Sequence, residues 1–258
     1  PAGGLLETVI VGADGKAAFA TDLPVGSKAY VQEIATGSHY ILSDRKYPVV
    51  FDYAGESVAL VHLAVNDGQP IENELIYGEI HGLKKDEDGK GLGGALIGLF
   101  RADCTEFTRE NALLTATSAE DGSFSFIRVP YGNWLVREIS APTGFVLTEE
   151  CFPVTVNENG AVIEVEIENR PIRGTVALSK VDKDYPENKL EGAVFEVYRD
   201  SNGNKEFGAE DELLGTMDEL GRGEYAMSEL RYGGYFLKEK AAPEGFYQHP
   251  GGADGRKL

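Results

Sequence analysis

Residue types that mark several common protein classes are scarce in this 258-residue chain. Its two cysteines are too few for a disulfide framework, and its four histidines lack the spacing of a zinc site. No apolar run approaches the roughly 20 residues of a membrane-spanning helix. Lysine and arginine total 24 against 43 aspartates and glutamates, a net charge of -19. We therefore expect no nucleic-acid partner and no membrane insertion in this segment.

The two cysteines, Cys104 and Cys151, leave two alternatives open. They can pair with each other, or they can remain as two idle thiols. In a chain this poor in cysteine, spacing does not decide between these alternatives.

Glycine and the aromatic residues are abundant, and their distribution predicts strands. The chain has 32 glycines, 12 tyrosines and 12 phenylalanines, in short alternating stretches separated by turn signals. Helices would instead show long segments with a 3.6-residue period. The sequence therefore predicts an all-β fold, with turns at Asp-Gly pairs such as Asp121-Gly122.

Three kinds of segment recur along the chain in a constant order. A lysine segment begins near 83 and near 179, a glutamate segment lies at 22–42, 128–147 and 229–248, and an asparagine segment lies near 69–78 and 165–174. Asn73 precedes Lys84 by 11 residues, and Asn169 precedes Lys180 by the same 11. This spacing indicates tandem modules with a fixed, short junction.

The repeat predicts three β-sandwich modules. Residues 1–78 form a module that lacks its first strand, 79–172 a complete module, and 173–258 a module that lacks its last strand. A complete module of about 95 residues with short strands and frequent turns is typical of a β-sandwich. We expect no strand in the polar tail GGADGRKL, and both ends of the chain look cut.

Strand alternation directs several polar residues toward the predicted core. A period of two places Asn169 on the face of Val165 and Ile167, and Glu138 on the face of Val136. The same rule directs Lys180 and Glu239 inward. It applies less clearly to Lys84, because Gly82 and Leu83 do not show which face of the strand is apolar.

Buried lysine, glutamate and asparagine are each unfavourable unless they are paired. One interpretation is a salt bridge at a sheet edge beside an asparagine near a strand end. The other is covalent chemistry, because burial favours the neutral form of both titrating groups. A neutral lysine amine can attack the asparagine carboxamide while a protonated glutamate binds the amide oxygen and shuttles protons to the departing ammonia.

These residues resemble the collagen-adhesin B-type (Cna-B, prealbumin-like) domains of Gram-positive surface adhesins and pilins. That family has an opening strand with lysine, a hairpin similar to LxExxAPxGY and a closing strand with asparagine. Their counterparts here are Lys84, Glu138 in VREISAPTGF, and Asn169. The resemblance covers nearly the whole chain and implies tandem prealbumin-like sandwiches with a Lys84–Asn169 isopeptide bond catalysed by Glu138.

The outer modules match the same pattern in part. By the resemblance, the first module has Glu33 and Asn73 without a lysine, and its ATGSHY segment lacks the Ala-Pro-x-Gly turn. The third module has Lys180 and Glu239 without an asparagine. Incomplete modules expose strand edges, so we expect head-to-tail self-association through these open edges.

The resemblance implies a structural stalk or adhesin segment on the extracellular, cell-wall-anchored surface of a Gram-positive bacterium, with no turnover of an external substrate. The main alternative is a ligand-binding adhesin module that recognises a host extracellular protein or glycan. An enzyme is a further alternative, but the sequence has no Ser-His-Asp order and no convergent pair of carboxylates.

One loop has the ligand spacing of a calcium site, and otherwise we expect no cofactor. Oxygen-bearing residues stand at positions 1, 3, 5, 7 and 12 of the loop, with Lys205 at the usual glycine position. The alternative is a solvated acidic loop. The candidate ligands are Asp200, Asn202, Asn204, Glu206 and Asp211.

Overall fold

The computed structural model describes residues 3–58, 61–248 and 256–257, and strands dominate it. Its single helical element there is a short 3-10 turn at Val65–Gly68. No helix in these ranges has the length and apolar character needed to span a membrane. The strands are β1 (Lys28–Gln32), β2 (Lys46–Val50), β3 (Tyr77–Asp86), β4 (Leu96–Arg101), β5 (Leu114–Thr117), β6 (Ser123–Pro130), β7 (Gly132–Ser140), β8 (Cys151–Val156), β9 (Val162–Asn169), β10 (Arg173–Ser179), β11 (Val194–Arg199), β12 (Glu212–Thr216), β13 (Asp218–Gly221), β14 (Glu224–Arg231), β15 (Tyr235–Ala241) and β16 (Arg256–Lys257).

The chain forms two compact units. One contains residues 1–79 with two short segments, 128–132 and 155–162. The other contains the remaining segments, 80–127, 133–154 and 163–258. The division of the sequence into three modules, whose last one extends over residues outside the described set, stays a prediction.

Two sheets are built from the predicted complete module. Their strand orders are β6-β3-β9 and β5-β4-β7-β8. Alternate residues of β7 and β9, including Val136 and Ile167, are buried, whereas the glutamates between them in β9 are exposed. β4 is buried at four consecutive positions, beginning with Ile97. This arrangement confirms the predicted all-β, sandwich-type fold.

The predicted third module repeats this arrangement in part, with an additional strand, β13, beside β14. Its sheets have the orders β10-β14-β13 and β12-β11-β15-β16. β10 takes the place of β3, but the described residues include no counterpart of β9, so β10 is an edge strand. The expectation of a strandless tail is wrong, because Arg256–Lys257 pairs with Phe236 and Leu237. Backbone hydrogen bonds to an edge strand do not require apolar side chains.

The first module has few strands and an open apolar surface. β1 and β2 pair antiparallel, with Tyr30 opposite Pro48. The predicted closing segment, residues 70–76, forms no strand. It is joined to the rest of the module by the bridge between Leu75 and Tyr40, by the backbone hydrogen bonds beside that bridge and by the side chain of Asn73. Large apolar side chains are exposed along this part of the chain, among them Leu5, Ile10, Val25, Ile34 and Tyr53.

The turn at Gly122 is packed directly against the backbone of β3. Gly122 has φ of +85°, and a Cβ atom there would lie 2.1 Å from the carbonyl oxygen of Lys84. Its own carbonyl accepts a hydrogen bond from the Lys84 amide at 2.7 Å. Only glycine combines this φ with this close approach.

We predict that Gly122→Ala lowers stability more than Gly160→Ala does. Both glycines have positive φ, but a Cβ at Gly160 would have no neighbour within 4 Å. The control should therefore lose about 1 to 2 kcal/mol, and Gly122→Ala should lose that amount plus the cost of the clash. Thermal melting followed by circular dichroism measures both losses. Equal melting temperatures would show that the close approach is unimportant.

Candidate functional site

Lys84, Glu138 and Asn169 meet in the interior between the two sheets of the complete module. These three residues are 0%, 1% and 1% exposed to solvent, respectively. Lys84 Nζ donates a hydrogen bond to Asn169 Oδ1 at 2.5 Å and lies 3.4 Å from Glu138 Oε1. β3 and β9 are neighbours in one sheet and β7 belongs to the other, so the polar cluster joins the two sheets.

Glu138 is held by hydrogen bonds to both of its carboxyl oxygens. Asn169 Nδ2 donates to Oε1 at 2.8 Å and to Oε2 at 2.9 Å. The Thr148 amide donates to Oε2 at 3.0 Å. The carboxyl group therefore lies against the amide nitrogen of Asn169, and not against its oxygen as expected from the sequence, because the oxygen accepts from Lys84.

Burial lowers the pKa of Lys84, although the charge and hydrogen bond of Glu138 and the charge of Glu168 oppose the shift. A lowered lysine pKa increases the fraction of neutral amine near neutral pH. Only the neutral amine has a lone pair for attack on a carbonyl carbon. The surroundings of Lys84 therefore favour its nucleophilic form relative to an exposed lysine.

The first module contains a similar cluster without a lysine. Asn73 Nδ2 donates to Glu33 Oε1 at 2.7 Å and to Thr36 Oγ1 at 2.7 Å. The Ser43 amide donates to Glu33 Oε2 at 3.4 Å, as Thr148 does to Glu138. Asn73 Oδ1 is buried and has no hydrogen-bond donor within the described residues. In the complete module, the equivalent oxygen, Oδ1 of Asn169, accepts a hydrogen bond from the amine of Lys84.

The third module contains a lysine and a glutamate at the corresponding positions, Lys180 and Glu239. Lys180 Nζ lies 2.8 Å from Glu239 Oε1, and their side chains are 27% and 18% exposed. The ammonium also lies 6.0 Å from the centre of the Phe195 ring. Lys180 and Glu239 are thus brought together as predicted, but they are more accessible to water than Lys84 and Glu138.

Backbone contacts that position the lysines were missed by the sequence reasoning. The amide of Lys84 donates to Gly122 and its carbonyl accepts from Leu92, at 2.7 and 2.9 Å. Lys180 makes the same pair of bonds, to Gly223 and from Leu190, at 2.7 and 2.9 Å. Asp121-Gly122 was recognised as a turn, but no local signal connects that turn to a lysine 38 residues away.

In the predicted calcium loop, backbone amides of the loop donate hydrogen bonds to the side-chain oxygens of four candidate ligands. The carboxylate of Asp200 accepts a hydrogen bond from Lys205, whose φ is +66°, and Asp211 accepts from Ser201 and Gly208. Asn202 and Asn204 also accept backbone bonds, from the residues two positions later. Asp200 Oδ1 is buried without a hydrogen-bond partner in the described part of the chain, where no cluster of three metal-binding side chains occurs. Calcium binding stays a prediction.

Both cysteines are free thiols, and both are partly buried. Arg137 Nη1 lies 3.7 Å from the sulfur of Cys151, and Cys104 Sγ lies 3.3 Å from the carbonyl oxygen of Glu106. Of the two alternatives that the sequence left open, the structure therefore has the two unpaired thiols.

A family model described as the SpaA prealbumin-like fold domain matches residues 78–171 and 174–250. The two matched segments together cover more than half of the chain. No curated protein sequence matches the chain.

Three solved structures of bacterial proteins are similar to this chain, and the first of them, with a TM-score above 0.5, has the same fold. The TIE protein of Bacillus anthracis matches at 23% identity and a TM-score of 0.64, over 84% of this chain and 37% of its own. A streptococcal ancillary pilin matches at 20% identity and a TM-score of 0.35, over 92% of this chain and 71% of its own. BcpA, the major pilin subunit of Bacillus cereus, matches at 16% identity and a TM-score of 0.31, over 69% of this chain and 91% of its own. The chain thus spans little more than a third of the TIE structure.

We predict that the 200–211 loop binds calcium weakly, in the millimolar range typical of extracellular modules (about 10⁻⁴ to 10⁻³ M). The prediction rests on the ligand spacing and on the buried, unbonded oxygen of Asp200. Calorimetric titration of the wild type should release heat that Asp200→Ala loses. Identical heats for the two proteins would dismiss the site.

Proposed function

The chain belongs to the SpaA family of prealbumin-like fold domains, and we propose that it is a structural stalk or adhesin segment of a bacterial cell-wall-anchored surface protein. In this proposal the segment is extracellular, and it is stabilised by a self-formed isopeptide bond between Lys84 and Asn169. It turns over no external substrate, because the bond forms once within the chain. Recognition of a host protein or glycan stays the alternative prediction.

The observation that carries the proposal is the fully buried contact of Lys84 with Glu138 and Asn169. A permanent ion pair at this depth gives little net stability, because both charges lose their hydration. The cluster also has the composition that amide exchange requires, namely an amine, a carboxamide and a carboxyl group that contacts both.

The proposed reaction is balanced within these three side chains. The neutral Nζ of Lys84 attacks Cγ of Asn169, the bond from Cγ to Nδ2 breaks, and one ammonia leaves. Glu138 hydrogen-bonds Nδ2, so it can deliver a proton to the departing nitrogen and recover one from the attacking amine. Water is excluded by the surrounding core, which strengthens these electrostatic interactions.

The bond would constrain the unfolded chain and the folded module alike. It would close a loop between residues 85 apart, which by the reasoning developed for disulfides stabilises by about 4 to 5 kcal/mol. It would also join the first and last strands of the module, β3 and β9. A force pulling at the module's two ends would then act on a covalent link that reductants do not break.

Contacts within the second compact unit also support a stalk. Arg231 donates hydrogen bonds to Asp88 at 2.6 Å and to Glu87 at 3.1 Å, and Arg173 also pairs with Glu87. These bonds connect the first turn of one repeat to the strands of the next. A stalk needs contacts of this kind between successive repeats, although each exposed ion pair contributes only about 0 to 1 kcal/mol.

We predict that the intact chain weighs less than its sequence by one ammonia. Lys84→Ala and Glu138→Ala should each restore the full mass, because the first removes the nucleophile and the second removes the proton shuttle. Both variants should melt at a lower temperature and be digested faster by proteases. Intact mass spectrometry and a tryptic map measure the bond directly.

Lys85→Ala is the matched control, since Lys85 precedes the same turn but pairs with Glu166 at the surface. It should keep the mass deficit. A wild-type chain of full mass whose tryptic map contains free Lys84 would refute the proposed bond.

A further inference from the structure

We propose that Gly122 and Gly91 are positioning residues for the amide bond between Lys84 and Asn169. They touch none of the reacting atoms. They let a tight turn approach the strand that carries Lys84 so closely that the lysine backbone is held at a fixed distance from its partners. The inference rests on the proposed function, because it assigns a kinetic role within the same reaction.

The turn formed by residues 119–122 lies directly on the backbone of Lys84. The amide of Gly122 donates to the Ala119 carbonyl at 2.8 Å, which closes the turn. The Gly122 carbonyl accepts from the Lys84 amide at 2.7 Å. A Cβ on Gly122 would lie 2.1 Å from the Lys84 carbonyl oxygen, so this one residue lies against both polar groups of the Lys84 backbone.

Gly91 is packed against the same turn. A Cβ there would lie 2.0 Å from the carbonyl oxygen of Asp121. The next residue, Leu92, donates its amide to the Lys84 carbonyl at 2.9 Å, so Gly91 also adjoins the backbone contacts of the lysine. Two glycines from separate segments therefore omit the side chains that would otherwise hold Lys84 and the 119–122 turn apart.

The third repeat retains one of the two glycines. Gly223 accepts from the Lys180 amide at 2.7 Å, and a Cβ on it would lie 2.7 Å from the Lys180 carbonyl oxygen. At the bridge position of Gly91, however, the third repeat has Lys189. The contact of a glycine with the lysine backbone is thus repeated, whereas the pair of glycines belongs to the module in which Lys84 meets an asparagine.

A small displacement of Lys84 would affect the reaction more than the fold. Its Nζ lies 2.5 Å from Asn169 Oδ1 and 3.4 Å from Glu138 Oε1, and both contacts must hold while Nζ reaches Cγ. The side chain is fully buried, so its stem has little room to compensate for a shift of the backbone.

Alanine at either glycine would cause such a displacement. A Cβ atom needs at least 3.0 Å to its neighbours, so the turn and the strand would have to separate. The separation needed is about 1 Å, and a misplacement of about 1 Å slows a positioned reaction about 100-fold.

Refolding of the full chain gives a kinetic test. Chain recovered in denaturant before it has folded is diluted into buffer, folding is followed by circular dichroism, and the loss of one ammonia is followed by intact mass spectrometry. The rate is measured after folding is complete and well below the melting temperature of every variant. A loss of stability alone then leaves the rate unchanged, since almost all molecules are folded. We expect Gly122→Ala and Gly91→Ala each to slow the mass change about 100-fold.

Two matched substitutions separate close approach from backbone strain. Gly89 has a φ of +79°, similar to the +85° of Gly122, but a Cβ on it would have no neighbour within 4 Å among the described residues. Gly174, like Gly91, has no positive φ, and its Cβ would also meet no described atom within 4 Å. Gly89→Ala and Gly174→Ala should therefore react at the wild-type rate.

Folded Gly122→Ala and Gly91→Ala chains that react as fast as wild type would overturn the inference. Equal slowing in the two control variants would overturn it as well. If Gly122→Ala does not regain the wild-type circular dichroism spectrum, Gly91→Ala decides the question, because Gly91 is not in the left-handed region and alanine adds no backbone strain there.

The wild-type chain separates this inference from the proposed function. A wild type that keeps its full mass after refolding disproves the internal bond and, with it, any positioning role. A wild type that loses one ammonia while both glycine variants keep pace has the internal bond and disproves only the positioning role.

Discussion

The burial of a lysine, a glutamate and an asparagine in one cluster is the constraint on which the complete module depends. Lys84, Glu138 and Asn169 are almost inaccessible to water, so any one of them alone would be a costly buried polar group. Together they satisfy one another. Because they come from three strands in two sheets, their contact requires the sheets to be packed in one register.

Comparison of the two lysine sites indicates how the closing strand affects the exposure of the lysine and the glutamate to water. The side chains of Lys84 and Glu138 are 0% exposed beside β9, whereas those of Lys180 and Glu239 are 27% and 18% exposed, with no equivalent strand among the residues that the structure describes. Greater contact with water weakens the electrostatic interaction between the two side chains. The closing strand thus supplies the carboxamide and the dry surroundings together.

Anchoring of the backbone and burial of the side chain are separate features of the lysine site. Lys84 and Lys180 are both held by a glycine carbonyl and a leucine amide, although only Lys84 is fully buried. The backbone of the lysine is therefore held in the same way in both modules, whatever the exposure of its side chain.

Alternation and repetition in the sequence were sufficient to identify the strands, the sandwich-type fold and the residues that point inward, because a period of two assigns each side chain to one face. They placed Asn169, Glu138 and Glu239 on the inner faces without any coordinates. They did not determine the packing of Gly122 against Lys84, the pairing of Arg256–Lys257 with β15, or the unsatisfied oxygen of Asn73. Those features depend on which strands become neighbours, and only the tertiary structure decides contacts between residues far apart in the chain.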